Sequence, residues 1–392
     1  MHPPGADTVL VRHGEINTKS RSVKGAMEGR LVRNIEAMLA DRDIPGTVER
    51  EWNRPLVHTA PDAVAAATNA AADAFGVVSV SASSTVAPDL EAICDGLASV
   101  ADAVYDGGSF AVDARRAHKD HPFTSETLER EGGSAIWAAV EDRFEPSVDL
   151  EDPDLCVGVE VRKDTAYIYL ERVVGPGGLP LGTQDPLVAL VSGGIDSPVA
   201  AYETMRRGCP IRPIYIDLGA FGGRDHEARA FETVRTLSAF APTEDMGIWH
   251  VPAGEAIARL AETMDRGRML SLRRLFFRIG ERIAERENAV GIVTGEAIGQ
   301  KSSQTARNLS ITSRVTELPI HRPLLTWDKT DIVERAREIE TYRDSTIDAG
   351  CNRIAPSHPE TRGTYRRLLE DEPDELLEWA DAAAADAEKV EP

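Results

Sequence analysis

Cysteine is scarce and scattered. Cys94, Cys156, Cys209 and Cys351 are the only four in 392 residues, and no two of them form a Cys-x-x-Cys. That spacing excludes a disulfide framework and a local zinc site, and it fits a reducing, cytoplasmic setting. No run approaches the ~18 consecutive apolar residues of a membrane-spanning helix. The opening MHPPGADTVLVRHGE has no basic stretch leading into an apolar one, so no secretory leader is expected. Lysine is also rare, 7 of the 44 basic residues against 65 acidic ones, and aromatic residues make up only 5%, which leaves few rings to stack on bases. A net charge of -21 argues, taken alone, against a nucleic-acid partner. Abundant acid with almost no lysine fits a surface adapted to a salty cytoplasm.

The acid is unevenly spread. Residues 81–175 and 371–392 hold the excess, whereas 1–80 and 176–370 are near neutral. Patterning follows the same boundaries. Over 1–80, DTVLVRHGEI, GTVERE and VVSVSASSTV read as strands. Residues 24–43, with Met27, Leu31, Ile35 and Leu39 at helical spacing, and the Ala-rich 62–75 read as helices. This β-α-β-α-β order predicts a small ferredoxin-like domain. Over 81–175, helices are expected at 89–106 and 124–144, the second capped by Thr124 or Ser125. A strand at 109–119 ends in Arg115, Arg116 and Lys119, and 155–173 reads as a hairpin turning near Lys163-Asp164. GPGGLP at 175–180 is a linker. Strand–helix alternation then predicts an α/β domain over 176–370, a doubly wound parallel sheet. Residues 371–392 read as a short helix fraying into a solvated acidic tail.

Residues 187–208 read LVALVSGGIDSPVAAYETMRRG. An apolar strand runs into Ser192, Gly193 and Gly194, and Asp196-Ser197 opens a helix. Ligands of open parallel sheets sit beyond the carboxyl ends of the strands. The Gly-Gly pair lets the backbone turn sharply beside a ligand, and N–H groups converge where the helix begins. Ser192 and Ser197 add hydroxyls. The pattern is that of a phosphate cradle, but not a Walker A loop, because the Gly-Lys-Ser/Thr ending is missing. Asp196 fits either a Mg²⁺ ligand or a brace that accepts backbone hydrogen bonds. The bland alternative is an ordinary Gly-rich strand–helix turn.

This stretch resembles the PP-loop of the ATP pyrophosphatases, which hold the pyrophosphate of ATP while the α-phosphate adenylates a substrate oxygen. VTGEAIGQKSSQTARNL at 293–309 is a second turn of small and polar residues, and VRHGEINTKS lies near the start. ARRAHKDHPFTS through YIYLERVVGPGGLP looks like a THUMP domain, an RNA-binding module. Together these resemble the ThiI family, the tRNA 4-thiouridine synthetases, over residues 8 to 365. The resemblance implies an ATP-dependent tRNA sulfurtransferase that adenylates O4 of uridine 8 and replaces it with sulfur as AMP leaves. ATP and Mg²⁺ are the implied cofactors. tRNA and a sulfur donor are the implied partners, and related proteins suggest a homodimer. Another PP-loop enzyme, of the 2-thiouridine, lysidine or amide-forming type, and a non-catalytic RNA-binding protein are the alternatives.

The resemblance also assigns residues. Leu190, Val191, Ser192, Gly193, Gly194, Asp196 and Ser197 line the nucleotide site, with Tyr215 and Ile216 on the adenine side. Arg273 is a basic ATP contact, and Gly295 and Gln304 belong to the second turn. For Leu190, Val191 and Ile216 a plain core role is equally expected, with contact through the backbone. Cys351, in STIDAGCNRIAPSHPETR, matches the family's sulfur-handling cysteine. His358, Arg353 and Arg362 are near it in sequence and would lower its pKa. Some members carry a rhodanese domain whose cysteine bears a persulfide and which supplies sulfur for thiamine thiazole; the chain stops in an acidic stretch instead, so that role is not expected. Others carry a Cys-x-x-Cys here; Cys351 has no near partner, so a three-cysteine iron–sulfur cluster is not expected. The sulfur source is then a separate persulfide carrier, a cysteine desulfurase or free sulfide.

Candidate RNA contacts are Arg115, Arg116 and Lys119, the group Arg12, Lys19, Arg21 and Lys24, and Arg266, Arg268, Arg273, Arg274, Arg278 and Arg282. Of the last set, Arg274, Arg278 and Arg282 share a helical face. Such patches suit a folded RNA read by shape and backbone; solvated faces paired with acids are the alternative. Phe123 is the candidate for base stacking.

Overall fold

Side-chain alternation builds the first sheet. In β1 (Thr8–His13) Val9 and Val11 are buried on one face, and β3 (Arg54–His58) adds Val57 and β4 (Val77–Val86) adds Val80 to the same cluster, against α1 (Arg21–Asp41) and α2 (Val64–Ala72). In the computed structural model, residues 1–51, 54–222, 224–342, 354–356 and 359–392 are described. The chain divides into two units, Met1–Pro180 and Leu181–Pro392. With β2 (Thr47–Glu51) the first strands order as β2-β3-β1-β4, all antiparallel, as in a ferredoxin-like fold. The short strand RPLVH was hidden in the sequence, because it opens on Arg54-Pro55 and pairs tightly back on β2.

The same sheet continues through α3 (Leu90–Val104), β5 (Ser109–Arg116), α4 (Ser125–Val140), β6 (Ser147–Val148), β7 (Leu155–Val161), β8 (Ala166–Tyr169) and β9 (Val173–Val174), giving the path β2-β3-β1-β4-β8-β7-β5-β6 with β9 on β4. Asp89 caps α3 by accepting from Ala92 N, and Thr124 caps α4 by accepting from Thr127 N, each contact worth about 1 kcal/mol. Phe110, Val112, Ala114, Val157, Val159 and Ile168 face these helices. Strand alternation therefore sends Arg115 and Arg116 to opposite faces, so the basic knot expected from the sequence is not one patch. Phe123 is 6% exposed within this core, which corrects its candidacy for base stacking.

In the second unit β10 (Leu187–Val191) leads to α5 (Asp196–Arg206), β11 (Ile211–Asp217), α6 (Arg224–Ser238), β12 (Ile248–Pro252), α7 (Gly254–Thr263) and α8 (Arg268–Glu287). The chain then crosses to β13 (Ile292–Val293), α9 (Ala306–Thr312), β14 (Ile320–His321) and α10 (Lys329–Glu338). The order is β14-β13-β10-β11-β12-β15, parallel except for the last strand. The path reverses direction between β10 and β13, and the crevice at that reversal is where such folds take ligands.

The acidic tail is folded, which corrects the expectation of a fraying end. After α11 (Tyr365–Asp371), α12 (Leu376–Ala385) buries Leu376, Ala380 and Ala384 in one cluster with Leu275, Ile279 and Ile283 of α8. β15 (Glu388–Val390) then pairs antiparallel with β12. The acids there are counter-charges: Asp381 accepts from Arg278 Nε at 2.7 Å and Arg282 Nε at 2.9 Å, and Glu372 accepts from Arg274 Nε at 3.0 Å. The arginine face of α8 is thus covered, and Arg274, 3% exposed, is withdrawn as an RNA contact along with the paired Arg278 and Arg282. No helix among the described residues is long and apolar enough to cross a membrane.

Candidate functional site

A cavity of about 360 Å³ opens at the switch point. Its wall contains Leu190, Val191, Ser192, Gly193, Gly194, Asp196, Ser197, Tyr215, Ile216, Arg273, Gly295 and Gln304, so every nucleotide-site candidate of the sequence lies on one surface. Met269, Leu272, Phe276 and Phe277 of α8, with Ile214 and Leu218, supply an apolar side that the sequence did not single out.

The turn after β10 is stitched by its own serines. Ser192 N donates to Ser197 Oγ at 2.9 Å, and Ser197 Oγ donates to the Ser192 carbonyl at 3.2 Å. Gly194 N reaches Ser192 Oγ at 3.3 Å. Ser197, 9% exposed, thus fixes the turn from inside, while Ser192 stays exposed at its rim. No side chain caps α5, which leaves its first N–H groups and positive dipole end toward the cavity.

Asp196 is held as a brace. Its Oδ1 accepts from Lys329 Nζ at 2.6 Å and from Gln300 Nε2 at 3.0 Å. Neither partner was read from the sequence. Gln300 stood inside the quoted second turn, but Lys329 opens α10, 133 residues away, and nothing local marks it. Gly295 lets the second turn touch the first: a Cβ there would lie 2.8 Å from Asp196 C and 2.9 Å from Ser197 N. Val191 at 3% and Ile216 at 8% exposure are core residues as well as wall residues, so their side of the cavity is offered largely by backbone. Tyr215 is likewise buried, its ring tilted against His250.

Arg273 is 13% exposed at its side chain and lies 2.8 Å from Glu296 Oε1 as an ion pair without hydrogen-bond alignment. Its Nη1 donates to Ser303 Oγ at 3.0 Å. Gln304 lines the cavity, and its Oε1 is buried with no hydrogen-bond partner among the described residues. Cys351, Arg353 and His358 lie outside the described residues. Ala355, Pro356 and Pro359, close to them in sequence, line the cavity. Among the described residues no group of three or more His, Cys, Asp or Glu is arranged to hold a metal.

In the first unit, Arg12, Arg54 and Arg162 gather round Glu160 on the sheet face away from the helices. Arg54 Nη1 is 2.5 Å, Arg162 Nε 3.1 Å and Arg12 Nε 3.6 Å from its carboxylate. Burial pushes the Glu160 carboxyl up, but the three guanidiniums outweigh it and hold the group below its usual range. Arg115 shares this face by strand alternation. Arg116 instead donates to the Phe123 carbonyl and ties down its own loop. Lys119 is exposed.

A parallel sheet whose switch point carries a Ser-Gly-Gly-Ile-Asp-Ser turn against a Gly-Glu turn defines a PP-loop protein. The family model described as thiamine biosynthesis protein (ThiI) matches residues 182–376, a THUMP domain model matches 87–171 and a ThiI ferredoxin-like domain model matches 8–81. A probable tRNA sulfurtransferase of Halobacterium salinarum is 58% identical over 391 residues, covering 100% of this chain and 99% of that one. One of Methanosarcina acetivorans is 39% identical over 370 residues, covering 93% and 89%. Among solved structures, a 4-thiouridine synthetase–RNA complex with bound ATP superimposes with a TM-score of 0.84 at 31% identity, covering 98% of this chain and 100% of that one. The chain belongs to the ThiI family of tRNA sulfurtransferases.

Proposed function

We propose that this protein makes 4-thiouridine at position 8 of tRNA with ATP. The observation that carries the reading is the convergence of all twelve nucleotide-site candidates on one cavity in a chain of this family. ATP lies with its adenine against the apolar side formed by α8, with Tyr215 and Ile216 beside it. Its pyrophosphate rests on the Ser192–Gly194 turn and the α5 N-terminus, and Arg273 faces the charge that develops there. Uridine O4 attacks the α-phosphorus, the α–β anhydride bond breaks and pyrophosphate leaves. Sulfur then attacks C4 and AMP departs with the former O4. Activation is required because a carbonyl oxygen does not leave unaided.

Mg²⁺ fits as an ion carried by the nucleotide phosphates, with Asp196 Oδ2 as the one carboxylate oxygen left for it, since Oδ1 is engaged by Lys329 and Gln300. The ion supplies charge neutralisation; the chain's own donors orient the phosphates. Where the donor is a persulfide, its terminal sulfur attacks C4 as AMP departs. The Cys351 thiolate then attacks the donor sulfur of the resulting disulfide, so that 4-thiouridine leaves and a Cys351–donor disulfide remains for an external thiol to reduce. Where the donor is sulfide, it attacks C4 directly and Cys351 carries no sulfur. Cys351 stands four residues before the wall residue Ala355 in sequence. The donor is a persulfide carrier, a cysteine desulfurase or sulfide, and the working form is a homodimer. Arg115, exposed on the sheet face that holds the Glu160 cluster, and the exposed Lys119 are offered to the RNA backbone. Arg116 contributes by ordering the loop before Phe123.

The test is incubation of the purified protein with unmodified tRNA, ATP, Mg²⁺ and sulfide in molar salt. Stoichiometric AMP, pyrophosphate and 4-thiouridine are expected. ATP turnover that yields another modified nucleoside would assign the chain to another PP-loop reaction.

A further inference from the structure

Glu296 stands behind Arg273, and both of its oxygens are engaged. Oε1 lies 2.8 Å from Arg273 Nε, and Oε2 accepts from Arg322 Nε at 2.9 Å. The residue is 5% exposed, in the wall of the cavity just after β13. Arg322 follows β14, gives Nη2 to Ser313 Oγ at 3.0 Å and lies over the Phe277 ring. One buried carboxylate therefore joins the turn after β13, Arg273 of α8 and Arg322 just after β14.

The arrangement fixes which way Arg273 looks. Its Nε faces Glu296, and its Nη1 donates to Met269 O at 3.3 Å and to Ser303 Oγ at 3.0 Å. Neither of these hydrogen bonds uses Nη2, so on a residue that lines the cavity Nη2 is the guanidinium nitrogen with hydrogen-bonding capacity to spare. A guanidinium on a flexible stem gains little from reaching a phosphate unless its rotamer is already fixed. Two buried arginines beside each other also repel unless a carboxylate separates them.

We propose that Glu296 is a positioning residue for the nucleotide site: it holds Arg273 so that Nη2 points at the ATP phosphates. The proposal rests on the ATP reading above and adds a residue that touches no ligand itself. It is tested by ATP affinity, measured by calorimetry on the full chain in molar salt, for wild type, E296Q, R273M and the double variant. R273M is expected to weaken ATP about thirty-fold, the scale of one charge-assisted hydrogen bond to phosphate, and E296Q about ten-fold, because Arg273 is then no longer held in place. The double variant is expected to be no weaker than R273M alone, because Glu296 acts only through Arg273. Additive losses in the double variant, or E296Q that folds and binds ATP as wild type does, would overturn it. Arg322→Gln breaks the carboxylate's other pair and leaves Arg273 held. It is expected to lower the melting temperature while ATP affinity stays within about two-fold. A loss as large as that expected for E296Q would make the network mere scaffold and overturn the proposal, and this arm decides even if E296Q does not fold. Failure of the wild type to bind ATP would instead remove the functional reading on which the proposal rests.

Discussion

Replacing Gly295 by alanine drives one methyl group into the backbone of the phosphate turn. The new Cβ would stand 2.8 Å from Asp196 C, 2.9 Å from Asp196 O and 2.9 Å from Ser197 N. Comfortable carbon contacts begin near ~3.5 Å, so the two turns must part by roughly 0.6–0.7 Å or more. No side chain can yield, because every atom met is main chain. Overpacking of this kind costs about 1–3 kcal/mol, and a site held to about 0.5 Å does not keep its geometry through such a shift. With 1.4 kcal/mol per tenfold, ATP affinity should fall about ten- to a hundred-fold. The melting temperature should drop by roughly 2–4 °C for each kcal/mol. Calorimetry and thermal unfolding read both. Gly133, within α4, is the control: an added Cβ there meets nothing within 4 Å, and G133A should gain about 0.5–1 kcal/mol from helix propensity. G295A that matches wild type in both ATP affinity and melting temperature would refute the close approach of the two turns as the basis of the site.

Three further outcomes are expected. Lys329→Met removes the 2.6 Å contact to Asp196 and should weaken ATP roughly five-fold, read by the same titration, with little change in melting temperature because Lys329 is half exposed. The carboxyls of Asp381 and Asp245 lie below their usual range. In Asp381 burial raises the value, but hydrogen bonds from Arg278 and Arg282 outweigh it; in Asp245 the Lys389 hydrogen bond lowers it, followed by the Gly247 N–H. Their contribution is complete above the unfolded carboxylate value of about 3.9 and is lost as pH falls through the lower folded values. The protection of residues 376–390 against hydrogen exchange, taken relative to the intrinsic rate at each pH, should therefore fall below about pH 4, and in D381N it should already be lower at neutral pH. With a persulfide donor, Cys351→Ala should abolish 4-thiouridine while leaving ATP binding intact, read by nucleoside mass spectrometry and calorimetry side by side.

The legible parts of this protein are those whose signal is local. The strand-to-helix turn at Ser192–Ser197 carries its chemistry in six consecutive residues, and the alternation after residue 180 fixes a parallel sheet with its switch point. What stayed hidden depends on contacts distant in sequence. Lys329 and Glu372 look like any charged helix residue until the fold brings them to Asp196 and Arg274. The tail reads as a solvated acidic end because composition does not reveal that Asp381 answers Arg278 and Arg282. Arg115 and Arg116 look like one patch in sequence, yet strand geometry parts them, and Phe123 is buried because its loop is tied down by Arg116. Across the first sheet, Arg12, Arg54 and Arg162 meet only through strand pairing.

The most direct test is the nucleoside content of tRNA from cells lacking this chain and complemented with wild type or with Asp196→Ala. The account predicts 4-thiouridine with wild type, and none in the uncomplemented cells or with the variant. 4-Thiouridine that persists without the chain, or that is undiminished with Asp196→Ala, would contradict it.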